Sequence, residues 1–148
     1  MAKPWNRQAG QSRRRKAFAE FEGRSLLESL RRDNSNRELI FYYADHAHQP
    51  AKALEVALQE YVRRHDVYTL DAYAWALHEN GQDAAALKHI ETALGVGIRD
   101  ARIFYHAGEI ALKLGDHTAA ERYLKDSTAL NAPRSELARA TLHVKPHR

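Results

Sequence analysis

Residues 67–94, VYTLDAYAWALHENGQDAAALKHIETAL, are followed after a short gap by residues 101–128, ARIFYHAGEIALKLGDHTAAERYLKDST. The second stretch is a degenerate copy of the first. A shift of 34 residues lays Asp66 on Asp100, Leu70 on Phe104, Ala74 on Gly108, Gly81 on Gly115, Ala86 on Ala120, Ile90 on Leu124 and Ala93 on Ser127. A fixed period of this length marks stacked supersecondary units, each of which can bury its apolar side only against a neighbour.

Within each copy the local signals describe two helices and a turn. Asp66 and Asp100 stand where a side-chain oxygen can take the free amides of a helix start. Gly81 and Gly115 supply the left-handed residue that ends a helix. The expected helices are residues 67–80 and 83–94 in the first copy and 101–114 and 118–130 in the second. Upstream, Ser35 and Glu38 have capping-box spacing before Leu39, Ile40, Phe41, Tyr42, Tyr43 and Ala44, and Pro50 suits the first turn of another helix over residues 50–64. There Ala53 holds the place of Ala86 but one residue out of register, so this pair is a degenerate earlier copy. Downstream, Pro133 closes the second copy. Residues 135–143, with Leu137, Ala140 and Leu142, are expected to form a capping helix over the end of the array.

The chain divides into an arm, residues 1–33, and a repeat domain, residues 34–148, with the clear repeats at 67–100 and 101–134. Residues 1–32 carry nine lysines and arginines against three acids, which leaves 14 bases and 16 acids for the remainder. The basic character therefore belongs to the arm. Residues 1–12 have the composition of a flexible segment, a short helical turn is expected around Phe18 and Phe21, and Gly23 interrupts it. Ser25 and Glu28 have the spacing of a second capping box, opening a short helix over residues 26–32. The cluster Arg13, Arg14, Arg15 and Lys16 allows three readings: a contact to nucleic-acid phosphates, a membrane contact with Phe18 and Phe21 inserted, or a solubilising tail with a docking helix.

A 34-residue helix-turn-helix unit with small residues at fixed points and a glycine at the turn resembles the tetratricopeptide repeat. The family's small residue in the first helix falls on Ala74 and Gly108, its turn glycine on Gly81 and Gly115, its second-helix alanine on Ala86 and Ala120, and its bulky residue on Ile90 and Leu124. The closing proline comes one residue late, at Pro133. The resemblance implies an all-α fold, a right-handed superhelix of helix pairs, whose first helices line a concave groove for peptides or extended segments. The implied groove residues are Tyr68, Asp71, Ala72, Trp75, His78 and Glu79 in the first clear copy. In the second they are Arg102, Tyr105, His106, Glu109, Leu112 and Lys113. Trp75 and Tyr105 serve equally well as peptide anchors or as packing between helices. Chaperone-binding members of the family hold a C-terminal carboxylate with lysine, arginine and asparagine. Here Ala72, Trp75 and His106 stand in those places, so the resemblance does not extend to that ligand.

Other classes find little support. With no cysteine there is no disulfide and no thiolate site, and no apolar run is long enough for a membrane span. The N-terminus is basic without an apolar segment behind it, so it is expected not to be a secretory signal, and the expected location is cytoplasmic. No nucleophile stands beside a base in a known motif, and Asp71 with Glu79 is most simply a solvated face. His46 with His48, and His143 with His147, lack the flanking ligands of a metal site. His78 and His106 could make groove binding pH-sensitive. The expectation is a non-catalytic, cofactor-free module for a protein or peptide partner, with nucleic acid as the alternative through the arm. About three units lie near the minimum for a stable array, so a partner or self-association could cover its ends.

Overall fold

The structure, a computed structural model, describes residues 4–29 and 36–131. These residues are helical with no strand among them: α1 Pro4–Ser29, α2 Arg37–Phe41 continuing into a π-helical turn Tyr42–His46, α3 Pro50–Arg63, α4 Val67–Glu79, α5 Asp83–Gly95, α6 Ala101–Lys113 and α7 His117–Asn131. Helices α2 to α7 each pack on the next in the chain, giving three consecutive pairs: α2 with α3, α4 with α5, α6 with α7. The chain is thus an all-α helical repeat.

The caps act at the expected positions. Asp66 Oδ1 accepts from the amides of Tyr68 and Thr69 at 3.1 Å each, and Asp100 Oδ1 accepts from those of Arg102 at 2.9 Å and Ile103 at 3.1 Å. Burial alone would push the Asp66 carboxyl up, but the Thr69 amide and hydroxyl, the Arg64 charge and the Tyr68 amide together hold it below the ordinary carboxylate range. Gly81 and Gly115 turn the chain with φ of 75° and 83°. The next amides, of Gln82 and Asp116, then reach back to the carbonyls of Leu77 at 2.9 Å and Ala111 at 3.0 Å. Only a residue without a Cβ adopts that backbone cheaply, so these turns are specified locally.

Small residues set the helix spacing. Ala53, Ala74, Ala86, Ala93 and Ala107 are fully buried between helices. Gly108 lies against α7 so closely that a Cβ would fall 2.6 Å from Leu124 Cγ. Two apolar clusters result. One joins Leu39, Ile40, Phe41 and Tyr43 of the first pair to Ala53, Ala57, Ala72, Trp75 and Ala76. The other joins Ala74, Leu77, Ala86 and Ile90 to Ile103, Ala107 and Ile110. Helix α4 contributes to both, through Ala72, Trp75 and Ala76 on one side and Ala74 and Leu77 on the other.

Two sequence expectations are corrected. Instead of a flexible segment, a short turn and a break at Gly23, the arm has one helix of 26 residues running through Gly23 and through Ser25, where a new helix start was expected. Pro4 suits the first turn, and an internal glycine costs only about 1 kcal/mol relative to alanine, which a long cooperative helix tolerates. The first pair also carries the π-helical turn, in which Ala47 N donates to Tyr42 O at 2.9 Å. A π turn accommodates an inserted residue, and it lies immediately upstream of Ala53, where the repeat slips by one. Asn36 occupies the N-cap of α2 without capping it, because its side chain turns inward to Glu60. Ser35, Pro133 and the capping helix expected over residues 135–143 lie outside the described residues.

Gly108→Ala is expected to lower the free energy of unfolding by about 1 kcal/mol in urea titration, the overpacking against Leu124 outweighing the gain in helix propensity.

Candidate functional site

The first helices of the three pairs, α2, α4 and α6, meet along one face, and the centre of that face is closed. Asp71 on α4 is completely buried. His106 Nδ1 on α6 donates to Asp71 Oδ1 at 2.7 Å, and Arg37 Nη2 on α2 approaches Asp71 Oδ2 at 3.4 Å. With Nδ1 as the donor, the tautomer of neutral His106 is fixed and Nε2 is its acceptor. The His106 ring stacks on Trp75 at 4.2 Å with 19° between planes, and Trp75 Nε1 donates to Asp45 Oδ1 at 2.8 Å. Phe41 covers His106 from α2 at 5.4 Å between ring centroids. Arg102 lies over the Phe41 ring at 4.7 Å and reaches Glu38 Oε1 at 3.5 Å.

This arrangement revises the expected groove. Asp71, Ala72, Trp75 and His106 are buried between the helices and present no open binding surface. Trp75 is packing, and Asp71 is not part of a solvated face. A carboxylate left alone there would be costly, so the two partners from the flanking units are what permit its burial. The exposed members of the expected set are Tyr68, Glu79, Arg102, Tyr105, Leu112 and Lys113, with Glu109 and His78 half-buried. His78 is held through Nδ1 by Asp83.

Depressions lie among these residues. A cavity of about 500 Å³ is lined by His78, Glu79, Gly81, Glu109, Leu112 and Lys113. A second, of about 380 Å³, lies between α1 and the repeats, lined by Ala17, Phe18 and Phe21 on one side and by Glu38, Phe41, Tyr42, Asp45, His46 and Arg102 on the other. Tyr68 lines a third, of about 340 Å³, with Arg37, Glu38, Arg64 and Asp66. Tyr105, 44% exposed, lies on α6 between Arg102 of the second depression and Glu109 of the first. Its hydroxyl is pushed up by burial and then by the charges of Glu109, Asp45 and Glu79, which places carboxylates from the first and second depressions around one ring.

Helix α1 docks at the second depression. Phe18 lies 5.6 Å from Tyr42 and 5.3 Å from His46, Phe21 lies 5.7 Å from Tyr42, and the Tyr43 hydroxyl donates to Glu22 Oε1 at 2.8 Å. Burial, followed by that bond and the charge of Glu22, pushes the Tyr43 hydroxyl up to about 12. The two phenylalanines on which a membrane contact would rest are thus turned onto the repeats. Arg13, Arg14, Arg15 and Lys16 are all exposed on α1.

Sequence reasoning missed Arg37, Asp45, Tyr42 and His46 as parts of this face. Arg37 did carry a signal, since it stands 34 residues before Asp71, at the equivalent place in the preceding unit. Of the paired histidines, His46 stacks on Phe18, and no group of three or more metal-ligating side chains occurs among the described residues. His143 and His147 lie outside them. Comparison of the chain with protein-family models, with curated proteins and with solved structures gave no match.

Asp71→Ala strands His106 and Arg37 without their shared acceptor, and is expected to reduce the unfolding free energy by about 3 kcal/mol in chemical denaturation. An unchanged midpoint would show that the pinned carboxylate does not support the array.

Proposed function

We propose that the chain is a non-catalytic protein-interaction module of tetratricopeptide type, which holds an extended peptide or partner segment across the face formed by α2, α4 and α6. One observation carries this reading. Large apolar side chains stand in the open on that face, Tyr68 at 42%, Tyr105 at 44% and Leu112 at 45% exposure, with Leu112 and Tyr68 each lining a depression, over helices locked from beneath. Exposed aromatics on a rigid base lose little conformational freedom on binding and can bury large area, the usual character of interface anchors. A cytoplasmic location accompanies this proposal. No helix among the described residues is long and apolar enough to cross a membrane.

A second reading rests on α1. Arg13, Arg14, Arg15 and Lys16 are exposed and form no ion pair with another described residue within 4.0 Å, which leaves them available to phosphates. Nucleic-acid contact through this run would be salt-sensitive and largely independent of sequence.

Affinity capture from lysate with wild type and with a Tyr68→Ala, Tyr105→Ala, Leu112→Ala variant tests the first reading. All three side chains are exposed, so the variant is expected to fold with an unaltered circular dichroism spectrum and to lose specific partners; an identical partner list would overturn the assignment of this face. For the second reading, replacing residues 13–16 by glutamine is expected to abolish retention on duplex DNA and RNA at low salt. Unchanged retention would refute it.

A further inference from the structure

We infer that the segment this face accepts is basic and carries aromatic residues, and that α1 occupies part of its seat as a built-in competitor. The inference rests on the interaction-module reading and names the chemistry of the partner.

On α6, the exposed Tyr105 stands between Arg102, which lines the depression beside α1, and Glu109, which lines the depression of about 500 Å³. Asp45 lines the depression beside α1, and Glu79 and Glu109 line the other. Among the described residues none of these three carboxylates has a lysine or arginine within 4.0 Å, whereas Glu38, in the same region, is already matched by Arg102. Across the two linings four carboxylates, Glu38, Asp45, Glu79 and Glu109, face two cations, Arg102 and Lys113, so this face carries an excess of negative charge around an exposed aromatic ring, a surface that suits arginine or lysine both by charge and by stacking over Tyr105.

The apolar half of the match is visible within the chain. At the α1 end, Phe18 is seated against Tyr42 and His46, and Phe21 against Tyr42, so this depression already accepts aromatic side chains from a helical segment. That segment also bears a basic run one turn earlier, yet its four cations remain in solvent. Among its described residues, α1 thus supplies aromatic contacts and brings no cation within 4.0 Å of Asp45, Glu79 or Glu109. An incoming segment that brings both cations and aromatic rings gains interactions that α1 does not make, and so can displace it. Phe18 is 37% exposed when docked, so a rival ring can bury area at this seat that Phe18 leaves open.

The test uses the full chain and a fluorescein-labelled synthetic heptapeptide alternating arginine and phenylalanine, with a glutamine-phenylalanine peptide as control, read by fluorescence anisotropy. Wild type is expected to bind the arginine peptide and not the control. Affinity should fall at least fivefold in the Asp45→Asn, Glu79→Gln, Glu109→Gln variant, in which the amide oxygen introduced at position 45 remains an acceptor for Trp75 Nε1. It should rise severalfold in Phe18→Ala, Phe21→Ala, where hydrogen exchange of residues 10–24 should also accelerate. If the triple variant is unstable, Glu79→Gln, Glu109→Gln alone changes only side chains at the rim and should still weaken binding. No binding by wild type, or equal affinity for wild type and the charge variants, overturns the basic-partner inference. Equal affinity for wild type and the phenylalanine variant overturns competition by α1. Loss of captured partners from the Tyr68, Tyr105, Leu112 variant, together with failure of the arginine peptide, would sink only the partner chemistry. Failure of both would remove the module reading as well.

Discussion

The hydrogen bond from His106 to the fully buried carboxylate of Asp71 constrains the rest of the structure. Removing a carboxylate from water is tolerable only when its oxygens are matched, and here one oxygen faces α6 and the other faces Arg37 of α2. The central helix is therefore fastened to the units before and after it by a single side chain. Trp75 reinforces this from the next turn, stacking on His106 and donating to Asp45. A repeat array gains stability from neighbour contacts, and one of three pairs has only two interfaces to draw upon. A polar pin spanning all three first helices, with both apolar clusters drawing on α4, ties so short an array together at its centre.

The same pin decides which side chains this face exposes. With Asp71, Trp75 and His106 buried in the middle of the α2, α4 and α6 face, its exposed large side chains are Tyr68, Tyr105 and Leu112. The face holds separate depressions in place of one open groove. A partner would meet a prearranged surface, because the rings beneath it are held from below by hydrogen bonds and stacking.

The elements that sequence alone describes well are those decided within a few residues. Aspartate at helix starts, glycine at left-handed turns and alanine between helices act through neighbours in the chain, and α3 to α7 begin and end within a residue or two of the expected places. What covers a face is decided at long range. Asp71 and Trp75 fall on the surface that the period assigns to the groove, but the period does not reveal that α2 and α6 close over them. The contact between Arg37 and Asp71 spans 34 residues, and the copy containing Arg37 is the degenerate one, distorted by its π turn. In the arm, capping-box spacing at Ser25 and the glycine at position 23 are local signals for a break worth about 1 kcal/mol each. A continuous helix that keeps its backbone bonds outweighs them.

The docking of that helix has its own electrostatic logic. Tyr43 is buried and its hydroxyl is pushed up to about 12, so it remains a donor to Glu22 throughout the neutral range. The bond cannot be released by ionising the phenol under ordinary conditions, and the remaining docking contacts are rings, Phe18 and Phe21 on Tyr42 and His46. Separating α1 from the repeats near neutrality by way of Tyr43 or these phenylalanines thus requires something that replaces aromatic contacts. A rival side chain would do this and deprotonation of Tyr43 does not, so the docking of α1 is sensitive to competition for the ring-lined depression and insensitive to ionisation of that phenol.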